Sequence, residues 1–414
     1  MILTVDGSVD YGEINFGSSR NNATFARKIR KDDLELLHNE RLAFLNKADS
    51  HLSRKLLRND ELQYPRTCRP PAWTWDQFPN CNGFHEIAME VPFGNTHQDL
   101  ATQYIGSGYF RDTWLLSSSA PRNDAFVLKT LRGLGSNHDY DLYSLRFVMK
   151  EAIVMEKLSS SPRIVDMYGY CASSIVAEAM PTDITTQLVP GDKDQYDRGR
   201  MKQKDLDKLQ TTDVYPLNNF TAIEKLSLAL TMAESLADLH GFEGGVIVHG
   251  DYHPDQHLLS DKGQLKLNDF NNGEFLHWND VDERYCYYSR QFGGTYKAPE
   301  EFSGGYCNQE VDTWSFGNNI YGLLTGLYPM YETYSHSEVR ERFLNHELPY
   351  VDPRYRSRSY IEGRLVEIME KCWAYEPEDR ASIFDVVIFL QETLRKHEAE
   401  QRELLKKHGA HQQV

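Results

Sequence analysis

Two acids and a lysine set the chemistry this chain can do. Asp251 stands in the run Val-His-Gly-Asp-Tyr-His-Pro-Asp-Gln-His-Leu-Leu, and Asp269 comes 18 residues later in Leu-Asn-Asp-Phe-Asn. Each acid falls where a short strand-like run gives way to a loop. One carboxylate at such a junction can orient a nucleophile, and the other can hold Mg2+ on a nucleotide. Lys129 ends the apolar run Phe-Val-Leu-Lys, and Glu151 lies in the helical run Lys-Glu-Ala-Ile-Val-Met. A strand lysine paired with a helix glutamate leaves its ammonium aimed at a polyphosphate. Gly106-Ser107-Gly108 ends 21 residues before Lys129. By itself that triplet is weak evidence, since two glycines between strands usually make an ordinary hairpin turn, and only the motifs downstream of it in the chain give it weight.

Plainer readings exist for each feature. A lysine alternating out of an apolar strand is normally a surface residue. His249, His253 and His257 share a four-residue spacing, but a helix would be needed to align them on a metal, and Pro254 interrupts it.

The elements that must position these groups are read from periodicity. Strand patterns begin near Tyr104 and recur at Asp112–Leu116 and Ala125–Leu131. A helical pattern spans Leu142–Leu158, then short runs come at Ile164–Tyr170 and Ser174–Met180. Residues 189–215 are polar with mixed charge and read as a solvated insertion. The next helix carries Ile223, Leu226, Leu230, Ala233 and Ala237 on one face. The turn signal Ser-Asp-Lys-Gly precedes Gln264-Leu-Lys-Leu-Asn, and helical patterns dominate from Val311 to Leu405. Strands early and helices late predict an α+β chain in two lobes.

Composition narrows the partners. The chain has 414 residues, 45 Lys and Arg against 61 Asp and Glu, and a net charge of −16. So acidic a surface, with no basic cluster, argues against nucleic acid. No apolar run approaches the ~18 residues of a membrane span, and the acidic start lacks the pattern of a signal peptide. A cytoplasmic location is the default, with a secretory or anchored one open should the N-terminus be incomplete. Six cysteines are sparse. They read as free thiols of a reduced protein, with a Cys68–Cys81 bridge as the oxidising alternative.

Taken in order, these motifs resemble the eukaryotic-type protein kinase family from about Tyr104 to Leu394. Gly106 and Gly108 resemble the Gly-rich loop, Lys129 the lysine of V-A-I-K, and Glu151 its helix partner. The run 175–181 resembles the hinge, with Ala177 in the gatekeeper place and Glu178 to Met180 offering backbone groups to adenine. His249-Gly250-Asp251 resembles H-R-D and Asp269-Phe270-Asn271 resembles D-F-G. Ala298-Pro299-Glu300 is an intact A-P-E, Asp312 to Gly317 opens the long C-lobe helix, and Cys372-Trp373 with Arg380 resembles the late motif whose arginine meets the A-P-E glutamate.

The resemblance implies a bilobal fold: a disordered start over 1–24, a helical and extended extension over 25–100, a β-rich N-lobe and hinge over 101–182, a helical C-lobe over 183–395 and a polar helical tail over 396–414. It implies ATP and Mg2+ as cofactors and transfer of the γ-phosphoryl to a hydroxyl, Ser/Thr of a protein by default. Lys129 would hold the α/β-phosphates, Asp269 with Gln256 the Mg2+, and Asp251 the hydroxyl proton. Ser107 joins Gly106 and Gly108 in the phosphate loop, and Glu178 and Met180 face the nucleotide.

Departures from the pattern matter as much. Arg111 replaces the third glycine, where its charge can cover phosphate. Gly250 replaces the arginine that meets a phosphorylated activation loop. His253 replaces the catalytic-loop lysine and can stand in for it at the γ-phosphate; H-G-D-x-H-P is similar to small-molecule kinases of the aminoglycoside and choline type. Gln256 replaces a metal-binding asparagine, and Asn271 replaces a glycine. At Gly293-Gly294-Thr295-Tyr296, either two residues are missing before A-P-E or the threonine has been lost from its usual place. H-G-D with D-F-N resembles atypical kinases of algae and related protists. Two other readings therefore stand beside the protein kinase: a pseudokinase scaffold, and a sugar or small-molecule hydroxyl kinase. Neither the substrate nor the oligomeric state is set by the sequence.

Overall fold

The structure, a computed structural model, describes residues 68–71, 81, 100–108, 110–118, 125–132, 142–190, 216–331, 333 and 335–411. The expected disordered start, the helix after Phe25, most of the Pro-rich connector and residues 191–215 of the expected insertion lie outside them. Val189, at the start of that insertion, is a buried core residue.

A short strand, β1 (Cys68–Arg69), precedes the main sheet. The early alternating runs then form β2 (Leu100–Ser107), β3 (Arg111–Ser118), β4 (Ala125–Leu131), β5 (Met167–Cys171) and β6 (Ser174–Glu178), in the spatial order β2-β3-β4-β6-β5. Every neighbouring pair is antiparallel, and the register sets Lys129 opposite Thr113 on one side and Ile175 on the other. Helix α1 (Leu142–Lys157) lies between β4 and β5 in the chain and buries Val148, Ala152, Val154 and Met155. Val148, Ala152 and Met155 follow one another at four- and three-residue intervals, and Glu151, three residues from both Val148 and Val154, is carried inward with them.

The second half is helical. Helix α2 (Ala222–His240) starts at a capping box: Thr221 accepts from the Glu224 N–H, and the Glu224 carboxylate accepts from the Thr221 N–H. Its buried face is Leu226, Ala229, Met232, Ala233, Leu236 and Leu239; Ile223, expected on that face, is turned outward. Helix α3 (Glu310–Thr325) is buried from Val311 to Thr325, its polar Asp312, Ser315, Asn318 and Asn319 included. Packing that tight needs small residues: a Cβ on Gly317 would stand 2.9 Å from the Trp373 ring. Helices α4 (Tyr360–Cys372) and α5 (Ile383–His411) complete the layer, and Phe384 of α5 is exposed.

Between α2 and α3 the chain makes short strand pairs. β7 (Thr182–Asp183) joins β9 (His257–Leu259) and β10 (Leu265–Leu267), while β8 (Ile247–Val248) pairs with β11 (Glu274–Phe275). Asp251 comes just after β8 and Asp269 just after β10, so both acids sit at strand ends. The result is an α+β molecule with a β-rich lobe and a helical lobe.

The cysteines depart from both sequence readings. Cys68 is bonded to Cys286 and Cys81 to Cys171, across 218 and 90 residues. Cys307 and Cys372 are free and buried. Beside the first bridge, β1 pairs with β12 (Trp278–Asn279), which pairs with β13 (Arg284–Tyr285). Among the described residues, no helix is long and apolar enough to cross a membrane.

Candidate active site

A cavity of about 430 Å³ lies between the lobes. Val127, Val165, Ala177 and Leu258 give it an apolar wall, with Glu178 and Met180 at the edge, and Lys129, Asp251, Asn268, Asp269, Asn271 and Asn272 give it a polar end. An apolar slot closed by a few convergent polar groups is the usual form of a nucleotide-sized site.

Lys129 reaches Glu151 Oε1 at 2.5 Å and the Asn268 amide oxygen at 2.9 Å. Glu151 is fully buried and meets a second cation, since Arg111 Nε lies 2.9 Å from its Oε2. Burial opposes ionisation of Glu151, but Lys129 and Arg111 together outweigh it and hold the carboxyl below its usual range. Arg111 lines the cavity, but its guanidinium is committed to protein partners rather than left to cover phosphate. Its guanidinium is buried, donating to the carbonyls of Ser173 and Val148 and pinning α1 to the sheet. The helix has a second tie, from Lys150 to Glu274 of β11 at 2.8 Å.

The Gly-rich turn is only partly at the cavity. Gly108 lines it, and Gly106 and Ser107 do not. The Gly108 N–H donates to the Arg111 carbonyl, and a Cβ on Gly106 or Gly108 would meet nothing within 4 Å. At the hinge, the Glu178 carboxylate is held from behind by Lys266 at 2.7 Å.

The loop carrying Asp251 is fixed by α3. Asp312 accepts from the His249 N–H at 2.7 Å and from the Gly250 N–H at 2.9 Å, and lies 3.0 Å from His240 Nε2. The Asp251 N–H donates to His249 Nδ1, so His249 Nε2 carries the proton that meets the Asn268 carbonyl. Burial lowers the pKa of His249, keeping it neutral. Asp251 Oδ1 is 3.0 Å from Lys297 Nζ, and Oδ2 accepts from the Asn272 amide at 3.1 Å. Burial would raise the pKa of Asp251, but Lys297 and then His253 drive it well below the usual carboxylate range.

His253 stands farther off, its Nε2 3.7 Å from Asp251 Oδ2 and 3.2 Å from the Gln256 amide nitrogen. Burial disfavours its charge, yet Asp251 outweighs that and raises its pKa. Neither His253 nor Gln256 is among the cavity's lining residues. Asp269 is on the lining; burial first, and Glu151 second, raise its pKa. Its Oδ1 accepts from the Asn271 amide at 2.6 Å, and the other end of that amide, Asn271 Oδ1, is buried without a hydrogen-bond partner.

Sequence reasoning missed several members of this cluster. Lys297 was hidden beside A-P-E, although a lysine between Tyr296 and Ala298 in a segment that departs from the family's threonine spacing was a signal. Asn268, Asn272 and Arg290 were also passed over. Arg290 is buried and donates to the Asn272 carbonyl at 2.5 Å and to its side-chain oxygen at 2.8 Å. It fills the room beside Gly250, where a Cβ would come within 3.0 Å of Arg290 Nη1. At the far end, Arg380 grips Glu300 with both guanidinium nitrogens, at 2.6 and 2.8 Å. Of the activation-segment tyrosines, Tyr288 is buried, Tyr287 meets Glu378 and Tyr285 lies in β13.

Residues 101–390 match the family described as protein tyrosine and serine/threonine kinase. The chain belongs to that family. It is similar to serine/threonine-protein kinase 12 of Arabidopsis thaliana, 26% identical over 233 residues that cover 56% of this chain and 45% of that protein. It is also similar to dual specificity protein kinase shkD of Dictyostelium discoideum, 25% identical over 299 residues that cover 71% of this chain and 34% of that one. Aurora kinase B-A of Xenopus laevis is 29% identical over 161 residues, 38% of this kinase chain and 40% of its own length. The chain spans less than half the length of these relatives.

Proposed function

We propose that this kinase binds Mg·ATP in the interlobe cavity and transfers the γ-phosphoryl to a serine or threonine hydroxyl of a protein. The observation that carries the reading is that Lys129, Asp251 and Asp269 converge on one end of a single cavity whose other walls are apolar. The apolar wall suits adenine, with Glu178 and Met180 at its edge. Lys129, oriented by Glu151, is placed for the α/β-phosphates.

The metal-binding residues fit a hard cation. Asp269 supplies a carboxylate and Asn271 a buried amide oxygen with no partner, the oxygen chemistry that Mg2+ takes. Mg2+ held there would neutralise charge on the phosphates. Gln256, the amide expected from the sequence, stands off the cavity beside His253, so Asn271 is the better second oxygen.

Asp251 orients the acceptor hydroxyl and takes its proton. The hydroxyl oxygen bonds to the γ-phosphorus as the bond to the β-phosphate bridge breaks, and ADP leaves with that electron pair. The names of the relatives support serine and threonine as acceptors. Two disulfides among the described residues support an oxidising compartment rather than the cytoplasm.

Purified protein with labelled ATP and a generic protein acceptor tests the reading. Transfer is expected in the wild type and a loss of at least ~10²-fold in Asp251→Ala. Nucleotide binding with no transfer to any protein overturns it in favour of a scaffold. Transfer to a sugar alcohol or amino alcohol alone overturns it in favour of a small-molecule kinase.

A further inference from the structure

We propose that Lys297, brought in from the end of the activation segment, is the cationic positioning residue of the phosphoryl-transfer centre, in place of any group on the catalytic loop itself. The inference rests on the kinase reading above and extends it to a residue 46 positions away from Asp251.

Lys297 is 8% exposed. Its Nζ lies 2.5 Å from the Gly250 carbonyl and 3.0 Å from Asp251 Oδ1. The opposite oxygen of Asp251 is held by Asn272 at 3.1 Å. The carboxylate is thus clamped on both sides, by the Lys297 amine on one and the Asn272 amide on the other. His253 is poorly placed for that task, since it is 3.7 Å from Asp251 and nearer to Gln256. The other cations of the site are engaged elsewhere: Lys129 with Glu151 and Asn268, Arg111 with Glu151 and two carbonyls.

The core fixes Lys297 where it stands. The carbonyl of the preceding Tyr296 accepts from Ser315 Oγ at 2.8 Å and from the Asn318 amide at 3.2 Å, and both donors belong to the buried helix α3. The same helix accepts the His249 and Gly250 N–H groups through Asp312. One rigid element therefore sets both the aspartate loop and its cation, the preorganisation that makes a fixed charge effective in a low-dielectric site. A cation there keeps Asp251 ionised as an acceptor and offsets its repulsion from an incoming triphosphate.

The experiment uses the full chain with three variants: Lys297→Met, Lys297→Gln, and His253→Lys combined with Lys297→Met. Lys297→Gln keeps a donor for the Gly250 carbonyl and removes only the charge, so it guards against a folding failure in Lys297→Met. Both single variants are expected to lose kcat by ~10²-fold or more with little change in the ATP KM. The double variant is expected to regain at least about tenfold, because a lysine at 253 approaches the other oxygen of the same carboxylate. A rise in KM alone, an unchanged kcat, or no gain in the double variant overturns the proposal.

A second readout separates this inference from the kinase reading. Should the wild type transfer no phosphoryl group, the kinase reading fails, while NMR titration of the Asp251 carboxyl carbon still decides the role of Lys297. The other charged or titratable groups facing Asp251 are His249 and His253 on its own loop and Asp269 across the cavity. An upward shift in Lys297→Gln, reversed in the double variant, sustains the proposal, and an unmoved titration overturns it.

Discussion

Glu301 accepts the Ala298 N–H at 2.8 Å and lies 3.9 Å from Lys297, fully enclosed by protein. Burial dominates its environment and pushes its pKa up from 4.5 to about 7. Below pH 4.5 the folded and unfolded chains both hold this proton. As pH climbs from there, the unfolded chain releases its proton while the folded chain keeps it, and stability falls until about pH 7, where the folded carboxyl ionises too. The window is worth on the order of 3 kcal/mol. Glu301→Gln should therefore gain on the wild type steadily as pH rises across it, and melting temperatures at matched pH values measure the difference. A difference that is flat, or that shrinks with pH, would show that Glu301 titrates as an ordinary surface acid. Lys225 and Glu362 present the opposite case: a buried pair 2.9 Å apart in which the carboxylate also meets Arg358. Removing one partner there leaves an unpaired buried charge.

At the scale of elements, the catalytic loop and the activation segment have exchanged an arginine. Gly250 has φ +72°, a left-handed conformation that costs other residues roughly 1–2 kcal/mol, and a Cβ there would stand 2.6 Å from the Asn272 carbonyl oxygen. Arg290, from the activation segment, occupies the adjoining space and holds Asn272, which in turn holds Asp251. Gly250→Arg, which returns the family's usual residue, is thus expected to lose at least about 2 kcal/mol and most activity, as read by urea unfolding and a transfer assay. Wild-type stability in that variant would mean that the loop relaxes freely. The exchange also marks what could be read from sequence. The run Ala125–Leu131 and the helix from Leu142 obey local periodicity and were legible, as was the rank order of motifs around Lys129, Glu151, Asp251 and Asp269. The inward turn of Arg111, the reach of Lys297 to Asp251 and the placing of Gln256 off the cavity depend on packing between segments far apart in the chain. Ile223 and Phe384 face outward for the same reason: a helix's period shows that it has a buried face, and its neighbours decide the exact rotation.

At the scale of the whole molecule, the disulfides join regions that the kinase lobes alone do not hold together. Cys68–Cys286 ties the strand β1 to the activation segment, beside the three-stranded β1-β12-β13 sheet, and Cys81–Cys171 ties a second point of the same N-terminal stretch to the edge strand β5. A crosslink across 218 residues restricts the unfolded chain strongly, and such bonds contribute about 2–4 kcal/mol. β1 itself is only two residues long, too short to stay paired on ladder hydrogen bonds alone. Its pairing with Trp278–Asn279 therefore depends on the covalent bond. Opening that bond, by Cys68→Ser with Cys286→Ser, should lower the melting temperature and raise amide exchange across residues 278–289, while exchange in the buried helix α3 stays slow. Peptide mapping of the unreduced wild type checks the premise: the 68–286 and 81–171 linked peptides should be recovered, with Cys307 and Cys372 alkylated only after denaturation. Recovery of a Cys68–Cys81 peptide, or exchange at 278–289 indifferent to the serine pair, would mean that the activation segment is held by its noncovalent contacts alone.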